Sequence, residues 1–115
     1  MQRFKIKVRD LQPDWRDVQI EGELDLAVTG QLDEVLTTAA AECSGVLVGL
    51  ERCEFIDSSG IAVILRAQGR IDGNRLAVYA PSAQVQRVLS MTGLTANGLV
   101  FDSAEEAMAS LAAAK

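Results

Sequence analysis

Near the start of the chain Phe4, Ile6 and Val8 alternate with Lys5 and Lys7, the period of two that marks a strand with one buried face. Pro13-Asp14 then reads as a turn, and Val18, Ile20 and Gly22-Glu23-Leu24-Asp25 read as a second strand, antiparallel to the first. The period changes at Leu32, Val35, Leu36 and Ala39, which fall at i, i+3, i+4 and i+7 and predict a helix over about 28–43. Val46-Leu47-Val48-Gly49-Leu50 is apolar at every position, as a strand covered on both faces would be, and is the expected centre of the sheet.

After Phe55-Ile56, the run Asp57-Ser58-Ser59-Gly60 precedes Ile61, Ile64, Leu65 and Ile71, so a second helix is predicted to start near Ser58. Asp72-Gly73-Asn74 breaks it. Leu76-Ala77-Val78-Tyr79-Ala80 is another apolar strand, and Pro81-Ser82 opens a helix carrying Val85, Val88 and Leu89 that Thr92-Gly93-Leu94 closes. Asn97-Gly98 turns the chain into Leu99-Val100-Phe101. Ser103 and Glu106 have capping-box spacing ahead of a last helix with Ala104, Ala107, Met108 and Leu111.

The order is therefore ββαβαβαβα, about five strands and four helices, and repeated strand–helix–strand units predict a mixed α/β sheet with parallel members and right-handed crossovers. With 115 residues and no linker, repeat or low-complexity tract, residues 1–115 are expected to form one domain.

Charge and composition narrow the chemistry. The formal charge is −5, with acidic residues scattered rather than grouped, and no basic stripe or aromatic platform is present, which argues against nucleic acid as a partner. No apolar run approaches the roughly 18 residues needed to cross a bilayer, and the N-terminal alternation does not resemble a secretory signal, so membrane insertion is not expected and the cytoplasm is the expected location. Cys43 and Cys53 occur in a chain without histidine, which excludes a Cys–His nucleophile and a Cys/His zinc site built from this chain alone; both read as reduced, partly buried thiols.

The absence of histidine also weakens an enzymatic reading, since general acid–base chemistry near neutral pH uses that side chain most often. Ser58 and Ser59 do not lie in a G-x-S-x-G elbow, and neither a P-loop nor a dinucleotide fingerprint is present, so no catalytic residue and no cofactor are expected. Asp25, Asp33, Glu34 and Asp57 read as solvated helix and loop charges, and no metal is expected. A small nucleotide hydrolase positioning water with Asp57 and Asp25 is the enzymatic rival.

What remains is Asp57-Ser58-Ser59-Gly60 at a strand-to-helix junction, where hydroxyls sit on an exposed turn and helical amides favour phosphate. From these four residues alone an ordinary helix cap is equally in order.

Three ordered segments carry a family resemblance. Gly22-Glu23-Leu24-Asp25, then Val46-Leu47-Val48 with Phe55-Ile56-Asp57-Ser58-Ser59-Gly60-Ile61, then Ser90-Met91-Thr92-Gly93-Leu94 resemble the STAS domains of bacterial anti-sigma-factor antagonists over nearly the whole chain. The resemblance implies that Ser58 accepts phosphate from an anti-sigma factor serine kinase with a histidine-kinase-like ATPase fold, and that a PP2C-type phosphatase removes it. It implies that the unmodified form, a monomer when free, binds the anti-sigma factor and so frees the sigma factor.

Asp57, Ser59 and Gly60 are the expected supports of the phosphosite, with Asp57 orienting the Ser58 hydroxyl and Gly60 allowing a partner close approach. Glu23, Asp25 and Ile61 are the expected partner-binding residues. On the residues alone, Glu23 is equally a solvent-facing strand position and Asp25 a turn former, while Ser59 reads as a structural hydroxyl ahead of a secondary acceptor. The alternative implied by the same resemblance is an adaptor subunit of a lipid-transporting ABC complex, in which Ser58 is never phosphorylated and only caps a helix.

Overall fold

The first two alternating segments form strands β1 (Lys5–Leu11) and β2 (Trp15–Leu24), paired antiparallel in register from Lys5 opposite Glu21 to Leu11 opposite Trp15. They belong to a computed structural model that describes residues 4–11, 14–70, 76–91 and 100–113. The chain continues through α1 (Thr29–Glu42), β3 (Gly45–Ile56), α2 (Ser58–Arg70), β4 (Leu76–Tyr79), α3 (Ala83–Met91), β5 (Val100–Phe101) and α4 (Ala104–Ala113). The sheet order is β1-β2-β3-β4-β5, with β2 to β5 mutually parallel and β3 at the centre. The expected turns at 72–74, 92–94 and 97–98 lie outside the described residues.

The two faces of the sheet are covered unequally. On one, Val18, Ile20 and Leu24 of β2, Val46, Val48 and Leu50 of β3 and Leu76 and Val78 of β4 pack beneath Leu32, Leu36 and Ala39 of α1, Ile64 and Ala67 of α2, and Val85 and Leu89 of α3. A fully buried aliphatic side chain of this kind contributes about 1.5–3 kcal/mol, so the repeated i, i+3, i+4 apolar stripe is what fixes each helix to the sheet. On the other face α4 alone covers Leu47, Ala77 and Tyr79 with Ala107, joined by Leu11, Trp15, Phe101 and Met108.

Strand β3 is longer than the apolar pattern predicts. The sequence separates 46–50 from Phe55-Ile56, whereas Glu51, Arg52 and Glu54 continue the strand as exposed positions. Two register shifts against β2, between Gln19 and Glu21 and between Gly22 and Glu23, each place one extra residue on β3. Such bulges break the alternation that a period-two reading depends on. Pairing with β4 ends at Gly49 opposite Tyr79, so residues 50–56 run on beside β2 alone and carry the chain outward to Asp57 and Ser58.

At the margin of the α4-covered face lies a buried polar cluster that the sequence pattern does not reveal. Asp17 is 1% exposed, and the Tyr79 hydroxyl donates to its carboxylate, 2.9 Å from Oδ1 and 3.1 Å from Oδ2. Gln19 Nε2 donates to Asp17 Oδ2 at 3.1 Å, and the guanidinium of Arg9 lies 3.4 Å from the same oxygen. Gly49 makes the room, since a Cβ there would meet the Tyr79 ring at 2.6 Å.

Helix starts follow their side chains. Ser82 accepts from the Val85 amide at 3.3 Å at the head of α3, and Ser103 accepts from the Glu106 amide at 3.2 Å at the head of α4. The returning arm of the expected capping box lands one residue early, because Glu106 Oε1 accepts from the Asp102 amide.

Candidate functional site

The parallel strands β2 and β3 end side by side, with Leu24 opposite Ile56 and the Asp57 amide donating to the Leu24 carbonyl at 3.2 Å. This last rung places Asp57-Ser58-Ser59-Gly60 beside the loop that follows Leu24. In that loop the Asp25 carboxylate accepts from the Ala27 amide at 3.0 Å and its carbonyl accepts from Val28 at 3.1 Å, so Asp25 is engaged in a turn leading into α1.

Asp57 caps α2. Its Oδ1 accepts from the Ser59 amide at 3.0 Å, the Gly60 amide at 3.1 Å and the Ser59 hydroxyl. The Ser59 hydroxyl holds the Asp57 carboxyl below the usual carboxylate range, helped by the Gly60, Ser59 and Leu26 amides and opposed by partial burial. Two expectations are thereby corrected. The Asp57 carboxylate is bonded to Ser59, not to Ser58, and the Ser59 and Gly60 amides are already occupied rather than free for an anion.

Ser58, the first residue of α2, is exposed to solvent. Ser59, half-buried, spends its hydroxyl on Asp57. Two adjacent serines of the same chemistry are therefore unequal: one is an exposed residue, and the other is part of the cap.

Gly60 is buried, and its role differs from the one expected. A Cβ on it would lie 2.7 Å from Leu24 Cγ and 3.0 Å from Ile56 Cγ1, so the glycine lets the first turn of α2 close onto the ends of β2 and β3. The close approach it permits is internal. Ile61 is corrected likewise: at 3% exposure it belongs to the core and offers no side chain to a partner. Its position one turn after Asp57, apolar and on the inner face of the helix, is the signal that points to the core.

Glu23 sits near the end of β2 opposite Phe55, half-buried, so it flanks the junction through the strand pairing. Two large apolar side chains that the sequence reading leaves unassigned stand at the same edge, Leu26 at 74% and Phe55 at 41% exposure. Among the described residues no cluster of three His, Cys, Asp or Glu side chains is arranged to hold a metal, and no helix is long and apolar enough to cross a membrane. Cys53 is buried and Cys43 half-buried; burial pushes both thiols up, which disfavours the reactive thiolate.

A family model described as "Mlab, STAS domain" matches residues 9–102. The chain is 32% identical over 100 residues to the anti-sigma F factor antagonist of Paenibacillus polymyxa, an alignment covering 82% of this chain and 84% of that one. It is 28% identical over 86 residues to the anti-sigma-B factor antagonist of Staphylococcus aureus, covering 72% and 80%. Among solved structures, an anti-sigma factor antagonist from Mycobacterium paratuberculosis superposes with a TM-score of 0.86 at 18% identity, over 95% of this chain and 94% of that one. Unphosphorylated SpoIIAA, described as an anti-sigma factor antagonist, superposes with a TM-score of 0.74 at 24% identity, over 90% and 93%. Fold and sequence agree that the chain belongs to the STAS domain family of anti-sigma factor antagonists.

Proposed function

We propose that this chain is a phosphorylatable protein switch: unmodified, it binds an anti-sigma factor, and phosphorylation of Ser58 releases it. The observation that carries this reading is the contrast between the exposed Ser58 and the Ser59 hydroxyl held by Asp57. In the reaction, Ser58 Oγ attacks the γ-phosphorus of ATP held by a serine kinase with a histidine-kinase-like ATPase fold; the kinase takes the hydroxyl proton and ADP leaves. The chain itself is a substrate and a ligand, not a catalyst.

Phosphate adds about −1.5 to −2 charges. With the Ser59 and Gly60 amides bonded to Asp57, the helix start gives it little compensation, and a dianion about 6 Å from the Asp57 carboxylate is repelled by about 1–2 kcal/mol across water. The fold tolerates a term of that size. A partner that buries the site must instead desolvate an unmatched dianion at several kcal/mol, and about 4 kcal/mol is nearly a thousandfold in affinity. Release thus needs no refolding. Removal of the phosphate by a PP2C-type phosphatase, a monomeric free state and a cytoplasmic setting complete the reading.

Incubation with ATP and the anti-sigma kinase of the same organism, followed by peptide mass spectrometry, tests it. The expected result is one phosphate on Ser58, none after Ser58→Ala, and one after Ser59→Ala. A phosphorylated form that binds the anti-sigma factor as tightly as the unmodified form would refute the switch.

The match to a STAS domain model over residues 9–102 also fits a second reading, the adaptor of a lipid-transporting ABC complex that the family resemblance implies. An adaptor would take up no phosphate in the same incubation and would co-purify with a transporter ATPase.

A further inference from the structure

Large apolar side chains left in water are few among the described residues: Val8, Leu26, Phe55, Leu65 and Met91. Leu65 lies on α2 two turns after Ser58, and two others, Leu26 and Phe55, lie at the strand ends that lead to it. Phe55 lies three residues before it, a span of at most about 11 Å along the chain, and Leu26 follows by two residues Leu24, whose carbonyl accepts from the Asp57 amide at 3.2 Å. Neither residue rests there by chance of a loose tail. Phe55 is fixed in β3 opposite Glu23, and Leu26 belongs to the turn closed by the Asp25 carbonyl and the Val28 amide.

We infer that Leu26 and Phe55 are the apolar anchors by which the kinase that phosphorylates Ser58 grips this domain. The inference rests on the proposed function, because phosphoryl transfer fixes where the partner must be. The donor phosphorus has to come within about 3–3.5 Å of Ser58 Oγ. A specific interface covers about 800 Å² per partner, a disc of roughly 16 Å radius, so side chains this near the acceptor fall inside it. A few side chains seated in well-packed pockets near the centre of an interface supply most of its affinity, while surrounding charges add steering.

The surrounding charges describe the partner further. Glu23 is opposite Phe55 in the sheet, Glu54 precedes Phe55 and Asp25 precedes Leu26, so the kinase face that fits is an apolar cleft bordered by Lys or Arg. Glu54 is exposed and Glu23 and Asp25 are half-buried, so these three keep access to water at the rim, whereas Asp57 is held in the cap beside Ser58. A phosphate on Ser58 would sit at the desolvated centre, where a rim of basic residues cannot reach it, so attraction at the edge and exclusion at the middle are compatible.

The experiment measures binding of the purified anti-sigma kinase from the same organism, and the rate of Ser58 phosphorylation, for Leu26→Ser, Phe55→Ser, Leu26→Met and Met91→Ser. Met91, 82% exposed, ends α3, which runs back from β4, while β3 carries Ser58 about 20 Å beyond the last β3–β4 pair. The expected result is a Kd raised about tenfold or more by Leu26→Ser and by Phe55→Ser, with KM for the domain raised in parallel. Leu26→Met restores most of the affinity, and Met91→Ser changes it less than about twofold. Circular dichroism and melting temperature establish that each variant is folded; Leu26, being mostly solvated, is the decisive position should Phe55→Ser fail to fold. Leu26→Ser binding and reacting like the unaltered chain would overturn the inference while leaving the switch intact. An unaltered chain that the kinase neither binds nor phosphorylates would overturn the switch itself and this inference with it.

Discussion

Gly60 backs directly onto Leu24: a Cβ at position 60 would stand 2.7 Å from Leu24 Cγ, closer than two carbons can pack. Leu24 is fully buried, so it has little freedom to retreat. Gly60→Ala is expected to destabilise the domain by about 1–3 kcal/mol through overpacking, which exceeds the roughly 1 kcal/mol that alanine gains in a helix interior. Denaturant midpoints with an unchanged slope check this, and a variant more stable than the unaltered chain would show that the contact yields easily.

Asp57 caps α2 through the Ser59 and Gly60 amides, so Asp57→Ala is expected to cost about 0.5–2 kcal/mol. The pH dependence has a definite sign. Because the folded-state pKa is depressed, the stabilisation is present above the unfolded value of about 3.9 and is lost as pH falls from there through the folded value. Below that window the unaltered chain and Asp57→Ala should converge in stability; a gap that persists there would mean the ionised cap is not its source.

Ser58→Glu should leave the fold alone. A single negative charge at the first position of α2, where Asp57 already holds the Ser59 and Gly60 amides, gains at most a few tenths of a kcal/mol from the helix dipole and loses about 0.7 kcal/mol to Asp57 at roughly 6 Å in water. Unfolding free energies from urea titration should therefore agree to within about 1 kcal/mol, while affinity for the anti-sigma factor falls. A large stability change in Ser58→Glu would replace exclusion with unfolding as the basis of release.

Tyr79 and Asp17 give an alkaline prediction. Burial, with the Asp17 carboxylate adding to it, raises the tyrosine from about 10 to about 12. A raised folded pKa gives stability that is full below pH 10 and is lost as pH rises through 12, so denaturation near pH 8 and pH 11 should separate the unaltered chain from Tyr79→Phe in its sensitivity to base. At pH 8 the Phe variant is expected to be less stable by about 1–3 kcal/mol, since it removes a donor from a carboxylate that is 1% exposed.

Much of this was legible from spacing alone. The helical stripe of Leu32, Leu36 and Ala39, the apolar centre of β3, the helix start at Ser58 and the structural Ser59 hydroxyl all follow from local pattern and capping chemistry. The continuity of β3 through Glu51, Arg52 and Glu54 was not, because those residues lie where α4 and β4 no longer cover the sheet and solvent accepts their charge. Asp17 and Tyr79 meet across two strands, 62 positions apart in sequence, and no short-range pattern reports such a partnership. Gly60 and Ile61 were misjudged for one reason: their motif names them beside the expected acceptor serine, whereas the helix turns both inward against Leu24 and the core.

The Asp57 cap has one more consequence. A helix that has already filled its leading donors offers no internal berth to whatever is joined to Ser58, so such a group stays at the surface. If Ser58 is phosphorylated as proposed, the phosphate would therefore stay as open to hydrolysis as the bare oxygen is to attachment, and its lifetime would be set by the enzymes that visit it, with no shelter supplied by the domain.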